Sequence, residues 1–523
     1  MGVGDLQLSA ESKINAYIID NPEITFFKNI HSRYTYFSQE ISKQPFTNQL
    51  DFGIKSSCDV SKNGDLMGEV TLVIELPEIP QFKLSDGSID EITKFAWCKK
   101  IGYRIVNTIE LVIDNQVIDT QYGEMMNIEQ MITSKKKINS AIGNISSLTK
   151  FTNGKKSYKL MIPLQFWFTK SSKANIPLVC LNNNSVSIKV ELNSADKCFI
   201  ISPSHYIFID DDLVNFKPGE YIIQTIDGIE AIGKFEYFDM VTRKLYYLKV
   251  SDESFASVTV TDETTIQTED DKDLILYKKV NGKLVNEKYF IRGLESREFV
   301  MPQINSSEIV HSVNKNISDL KLKSANLLIN YTYLTSKERN VMKKGFSTII
   351  EQTEFTGNLI LDGINQNITL NFAHPCKQLF WLTQLPAAQK NKLNDWDNYS
   401  NDLVHERNVD DKNIITNCAL LYDGEERFSM RNSLYFDKYT FYDRQTNIYE
   451  KNSIINTCHF SLNPESVNIS GTANFSAIEN VRLKIQTKKN TRGSIHLRSY
   501  AKVYNVLKFK NGTANLVFSV NNS

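Results

Sequence analysis

NPEITFFKNIHSRYTYFSQE, residues Asn21 to Glu40, is the stretch from which the rest of the chain can be read. Ile24 to Lys28 and Arg33 to Phe37 are two short, aromatic, β-prone runs. A polar corner at Asn29, His31 and Ser32 separates them. The stretch is entered from Asn21-Pro22, a dipeptide that favours an extended or turning backbone. On pattern alone this is a buried strand pair opening a β domain.

The same grammar continues outward. Gly68 to Leu76 (GEVTLVIEL) alternates apolar and polar, and Ile105 to Ile118 reads as two strands meeting at Asp114-Asn115. Turn dipeptides recur at Asp227-Gly228, Asn281-Gly282, Asp362-Gly363, Asp423-Gly424 and Asn511-Gly512, each able to supply the positive φ of a tight hairpin. Many short strands with frequent turn signals point to an all-β sandwich or barrel. The expected helices are few: Glu91 to Lys100, Gly123 to Lys135 and Ser336 to Lys344.

Tyr158 to Leu192 joins an apolar run, a polar loop and the alternating Val186, Ile188, Val190 and Leu192, one face buried and one wet. Residues 458 to 486 echo that order, ending on Val481, Leu483 and Ile485, which suggests two copies of one sandwich. Between the echoes, Asp210 to His311 reads as a run of hairpins inserted after the strand-like Phe199 to Ile209. Strands of the first sandwich resume at Leu327 to Leu334.

With 523 residues the chain exceeds one core and is expected to hold two or three domains. Its 60 basic and 60 acidic residues balance, against a protein whose main work is gripping nucleic acid. No apolar window approaches the ~18 residues of a membrane-spanning helix, and the N-terminus lacks the basic and apolar segments of a secretory signal. The seven cysteines, 58, 98, 180, 198, 376, 418 and 458, are scattered without a C-x-x-C, as buried thiols in a reducing compartment are.

No constellation points to catalysis, a cofactor or a metal. Gly154 to Ser157 lacks the upstream glycine of a P-loop. His374 with Cys376, and Cys458 with His459, have no second pair at metal-ligand spacing. The acidic run Glu269 to Asp273 and the basic cluster Lys135 to Lys137 read as solvated turns. Trp97, Trp167 and Trp381 sit in apolar runs and only Trp396 in a polar one, unlike the exposed aromatics of a glycan-binding cleft.

Asn21 to Glu40 resembles the N-terminal signature NPxITFFKxxYRRxTNFAxE of the major capsid proteins of nucleocytoplasmic large DNA viruses, the double jelly-roll family of algal and amoebal giant viruses and iridoviruses. Asn21, Pro22, Ile24, Thr25, Phe26, Phe27, Lys28, Arg33, Thr35, Phe37 and Glu40 match. Further segments resemble that family in order: Asp51 to Leu66, Ile162 to Phe168 with Ile176-Pro177-Leu178, Asn330 to Arg339, Ile349 to Phe355, Asn371 to Trp381, Asp423 to Phe436, Ser470 to Ser476 and Tyr500 to Leu507. Departures occur at His31-Ser32, Tyr36 and Ala477-Ile478-Glu479, where family-specific contacts do not carry over.

The resemblance implies an all-β fold of two consecutive eight-stranded jelly rolls, with a small inserted β-domain and few short helices. Residues 1–21 would be an N-terminal arm, 22–335 the first roll carrying the insertion at about 211–311, and 336–523 the second roll. It implies a non-enzymatic capsid protein, found in the virion and assembled in the host cytoplasm. Homotrimers would form pseudo-hexameric capsomers that tile an icosahedral shell. The implied partners are neighbouring capsomers, minor capsid and penton proteins and the inner viral membrane, with no direct nucleic acid. Residues 211–311 are expected to project outward and to be dispensable for trimers; covering the trimer interface, or facing inward, is the alternative. A scaffolding protein of the same fold, as in the related poxviruses, and a carbohydrate-binding β-sandwich are the other readings.

Overall fold

The computed structural model describes residues 2–10, 21–23, 25–29, 31, 34–84, 86–132, 138–257, 277–280, 283–286, 289–303, 305–311, 317, 320–388, 393–404, 412–444, 454–466, 468–488 and 494–518. Two jelly rolls follow one another along the chain. The first is built from β1 (Phe37–Pro45), β2 (Lys55–Asp59), β3 (Leu66–Leu76), β4 (Val106–Ile113), β5 (Gln116–Tyr122), β6 (Tyr158–Pro163), β7 (Val186–Leu192) and β8 (Ser324–Leu334). The second is built from β9 (Phe346–Leu361), β10 (Asn365–Thr369), β11 (Pro375–Gln384), β12 (Ile415–Tyr422), β13 (Glu425–Asn432), β14 (Asn456–His459), β15 (Val481–Thr487) and β16 (Ile495–Lys510).

The first roll faces a sheet ordered β1-β8-β3-β6 against one ordered β2-β7-β4-β5. The second repeats the orders with each number raised by eight: β9-β16-β11-β14 against β10-β15-β12-β13. The echo heard in the sequence is therefore β6 and β7 set against β14 and β15. Both central hairpins turn on residues of positive φ, Asp114 and Asn115 at 46° and 65°, and Asp423 and Gly424 at 51° and 95°. Along β7, Val186, Ile188, Val190 and Leu192 are buried and the residues between them half-buried, so period-two alternation fills the sandwich interior.

Several expectations change. Neither Ile24 to Lys28 nor Arg33 to Phe37 forms the expected strand: the described residues up to Tyr36 lie outside any strand, and β1 starts at Phe37, the last residue of the second run. Phe37 pairs with Leu334, the end of β8, where the chain leaves for the helix Ser336–Met342. Upstream of Phe37 no ladder partner remains among the described residues, so aromatic propensity alone has nothing to pair with. Glu91 to Lys100 is not a helix. Lys94–Trp97 pairs with Phe199–Ser202 as a two-stranded ribbon, and the helix follows at Ile101–Ile105. Asp362-Gly363 makes no hairpin but carries the chain from one sheet of the second roll to the other. Asn281-Gly282 lies outside the described residues. Helices form at Gly123–Ile132 and Ser336–Met342, within the two stretches read as helical.

The inserted sheet lies in the connection between β7 and β8. Its order is Phe299–Val300, Ile291–Gly293, Tyr221–Ile226, Ile229–Asp239, Lys244–Lys249, His205–Phe208, Ile309–Val310. It thus takes in His205–Phe208, a segment read from sequence as part of the first roll. Ile207, Phe235, Leu245 and Tyr247 pack into the insertion's own core. Tyr221, Ile223, Ile232 and Val250 instead join the apolar cluster of the second roll. One side of the insertion is a packed neighbour of the second roll.

Candidate assembly surfaces

The informative sites are the seam that makes one block of two rolls and the surfaces that block leaves uncovered. The seam starts where β5 meets β9. The Gln352 side chain donates to the Ile118 carbonyl, and Asp119 Oδ1 accepts the Thr353 N–H at 3.1 Å. The helix Gly123–Ile132, which follows β5, lays Met125, Ile128, Met131 and Ile132 against Phe380, Leu382, Ile455 and Tyr500 of the second roll. Gly123 is obligatory there: a Cβ would stand 2.3 Å from the carbonyl oxygens of Tyr103 and Val106.

Glu124, in the first turn of that helix, grips the second roll. It accepts two bonds from Arg498, Nε to Oε2 and Nη2 to Oε1, both at 2.8 Å, and one each from the hydroxyls of Tyr399 at 2.9 Å and Tyr500 at 2.7 Å. Arg498 also donates to Gln384 Oε1 at 2.7 Å. Burial works against the Arg498 charge, yet Glu124 outweighs it and holds the guanidinium above its ordinary pKa.

A second polar cluster lies alongside. Lys170 reaches Glu351 Oε1 at 2.5 Å, Lys377 reaches Glu351 Oε2 at 2.7 Å, and Lys502 meets Glu129 and donates to Thr353 Oγ1 at 2.9 Å. The first roll brings Lys170, Glu129 and Asp119, and the second brings Glu351, Lys377 and Lys502. The charges are complementary across the seam. Burial alone would raise the Glu351 carboxyl, but Lys170, Lys377 and Lys502 hold it far below the usual carboxylate range. Asp119 goes the other way: burial pushes it to about 7 against the pull of Lys502.

At the loop end the rolls clasp again. Asn394 Nδ2 donates to the carbonyls of Asp196, at 2.9 Å, and Phe199. Trp396 Nε1 donates to the Lys99 carbonyl at 2.9 Å, and Arg104 lies over its ring at 5.8 Å. Trp396, the tryptophan in a polar stretch, is buried like Trp97, Trp167 and Trp381.

The other residues singled out from sequence come to rest in structural roles. His374 Nδ1 meets Glu354, and Nε2 faces the Phe518 carbonyl at 3.2 Å. Cys376 and Cys458 are buried with thiols pushed up by burial, as are the other five cysteines. Lys155 Nζ donates to the carbonyls of Ser147 and Lys150, at 2.9 and 2.5 Å. Among the described residues no three His, Cys, Asp or Glu side chains gather at metal-binding range. Glu269 to Asp273 and Lys135 to Lys137 lie outside the described residues. The seam charges went unnoticed in the sequence; the available signal was a lone ion inside an apolar strand, such as Lys377 in PCKQLFWL.

Two uncovered apolar surfaces stand out. Phe26 and Phe27 are 100% and 98% exposed, followed by exposed Tyr34 and Tyr36. Val341, Phe346 and Ile349, at the start of the second roll, are exposed as well.

Comparison with known proteins places this architecture. Residues 25–241 match the family described as major capsid protein N-terminus, and residues 338–515 match the large eukaryotic DNA virus major capsid protein family. The chain is 33% identical to probable capsid protein 4 of Acanthamoeba polyphaga mimivirus, over 97% of both chains. It is 24% identical to the major capsid protein of Phaeocystis pouchetii virus, over 99% of this chain and 100% of that one. In structure it is similar to the chain of the PBCV-1 virus capsid, with a TM-score of 0.60 at 17% identity over 95% of this chain and 100% of that one. The Faustovirus major capsid protein gives 0.59 at 10% identity, over 96% and 94%.

Proposed function

Since this chain belongs to the family of large eukaryotic DNA virus major capsid proteins, structural proteins of the virion, we propose that it homotrimerises into a pseudo-hexameric capsomer, the tile of a large icosahedral shell. One observation carries the reading: two rolls of identical strand order are locked into one block by a buried seam. Three such blocks around a three-fold axis present six similar lobes, so six-fold packing follows from three-fold symmetry. In this reading the function is interface geometry, with no catalytic step.

The proposed division is an arm at 1–21, a first roll at 22–335 carrying the insertion, and a second roll at 336–523. The insertion, on the connection between β7 and β8, forms the outer projection. Neighbouring capsomers, minor capsid and penton proteins and the inner membrane are the partners, met in the host cytoplasm, where the shell is built. Light scattering coupled to size exclusion tests the central point. A stable particle of about 180 kDa, three chains of 59.9 kDa, is expected; a monomer at micromolar concentration overturns it.

A further inference from the structure

The seam inside the chain shows how one roll of this fold receives the next. β5 is the edge strand of one sheet of the first roll, and β9 is the edge strand of one sheet of the second. β5 bonds β9, and the helix after β5, Gly123–Ile132, packs beside them on the second roll. Because the second roll repeats the strand order of the first, each half of that seam has a counterpart. β13 stands where β5 does, and β1 stands where β9 does, each again at the edge of its sheet. A helical segment, Tyr435–Tyr439 running into Thr440–Arg444, follows β13 as Gly123–Ile132 follows β5.

The counterpart surfaces are uncovered. On the helical segment Phe436 and Phe441 turn inward and are buried, while Leu434, Tyr439 and Tyr442 stay exposed. Arg427 lies 4.7 Å over the Phe428 ring and Arg431 4.3 Å over Tyr435, and neither has a carboxylate partner among the described residues. β1 is exposed along most of its length. Phe37 and Ile41 share one of its faces by alternation and are both exposed, and Glu40 beside them offers a carboxylate. Their own chain cannot bring the two surfaces together. Both are open in the folded block, and moving one roll to the other's far side would break the grip of Glu124 on Arg498.

We propose that β13 and the helical segment after it dock on β1 of a second copy, repeating between subunits the seam that β5 makes with β9 inside each one. The inference deepens the trimer reading and rests on it, by naming the two surfaces that meet. Each copy offers one β13 side and one β1 side, so the contact runs head to tail and closes as a ring. Three internal seams then alternate with three contacts of the same kind around six rolls.

Two surface variants test it on the full chain, with mass in solution as the readout: Ile41→Asp on the β1 side and Tyr442→Asp on the β13 side. Both side chains are largely in water, at 67% and 87% exposure, so neither change enters a core. The parent is expected at about 180 kDa, three chains of 59.9 kDa, and each variant alone at about 60 kDa, one chain. An equal mixture of the two is expected at about 120 kDa, two chains. In that pair the intact β13 side of one variant meets the intact β1 side of the other, and no further contact is left. Circular dichroism checks the fold, and Ile41→Lys or Tyr439→Asp replaces a variant whose strand signal is lost. A trimeric parent whose variants stay trimeric overturns this pairing of surfaces and leaves the trimer standing. A mixture that stays at the mass of one chain overturns the head-to-tail order, and a monomeric parent overturns the trimer and the proposal together.

Discussion

Replacing Glu124 with alanine should uncouple the two rolls. Glu124 is the shared acceptor of a bidentate Arg498 and of two buried tyrosine hydroxyls, Tyr399 and Tyr500. Side-chain exposures of 11% and 16% for Arg498 and Glu124 leave solvent only partial access to the pair. Removing one partner of a buried ion pair costs about 3–5 kcal/mol, because the remaining charge stays desolvated. Each hydroxyl left without its acceptor adds about 1 kcal/mol. The expected loss is therefore about 5–7 kcal/mol, comparable to the whole stability of many domains. Because the lost bonds span the seam, urea unfolding followed by tryptophan fluorescence should split into two transitions. The double variant Glu124→Leu with Arg498→Met should recover most of the loss, since the charge is removed with its partner. An alanine variant within about 1 kcal/mol of the parent, with no transition that the parent lacks, would refute the assignment of the seam to this cluster.

Other outcomes follow from the same geometry. Asp119 has a folded pKa near 7 against an ordinary 3.8, so the folded state holds a proton there that the unfolded chain has lost. That contribution is complete below pH 3.8 and disappears as pH rises through 7, a change of about 4 kcal/mol at ~1.4 kcal/mol per pH unit. Asp119→Asn should thus gain on the parent between pH 5 and 8 in denaturant titrations; parallel profiles would count against it. Gly123→Ala drives a Cβ to 2.3 Å from two backbone oxygens, and should lower stability by about 3 kcal/mol or more, read as a fall in melting temperature. Deleting residues 205–310 would expose the second-roll surface now shared with Tyr221, Ile223, Ile232 and Val250. The shortened chain should bind a hydrophobic dye and melt earlier; an unchanged melt would mean that the insertion is a free projection.

What the sequence made legible is what repeats at short range. The alternation of Val186 to Leu192 and of Val481 to Ile485 states strand, face and duplication at once, because period-two burial is a local property. The turns at Asp114-Asn115 and Asp423-Gly424 were readable for the same reason, as positive φ selects a few residue types. The described residues ahead of Phe37 failed as strands because a strand needs a partner, and β8 ends at Leu334. Lys94–Trp97 reversed from helix to strand because a partner, Phe199–Ser202, arrives from about a hundred residues away. Neither fact is written in the local residues.

The seam was illegible for a related reason. Glu124 and Arg498 are 374 positions apart, and each alone looks like a surface charge. Only the side-by-side placement of β5 and β9 brings Asp119, Glu129 and Lys170 to Glu351, Lys377 and Lys502. A duplicated fold makes such a seam necessary. Two equal sandwiches have interchangeable apolar interiors, so hydrophobic burial alone does not dictate how one sits against the other. Direction must come from interactions that tolerate one geometry, and a bidentate arginine on a carboxylate fixed by a helix is of that kind. The bland pattern therefore specifies the two rolls, and the isolated ions inside apolar strands specify the block they make.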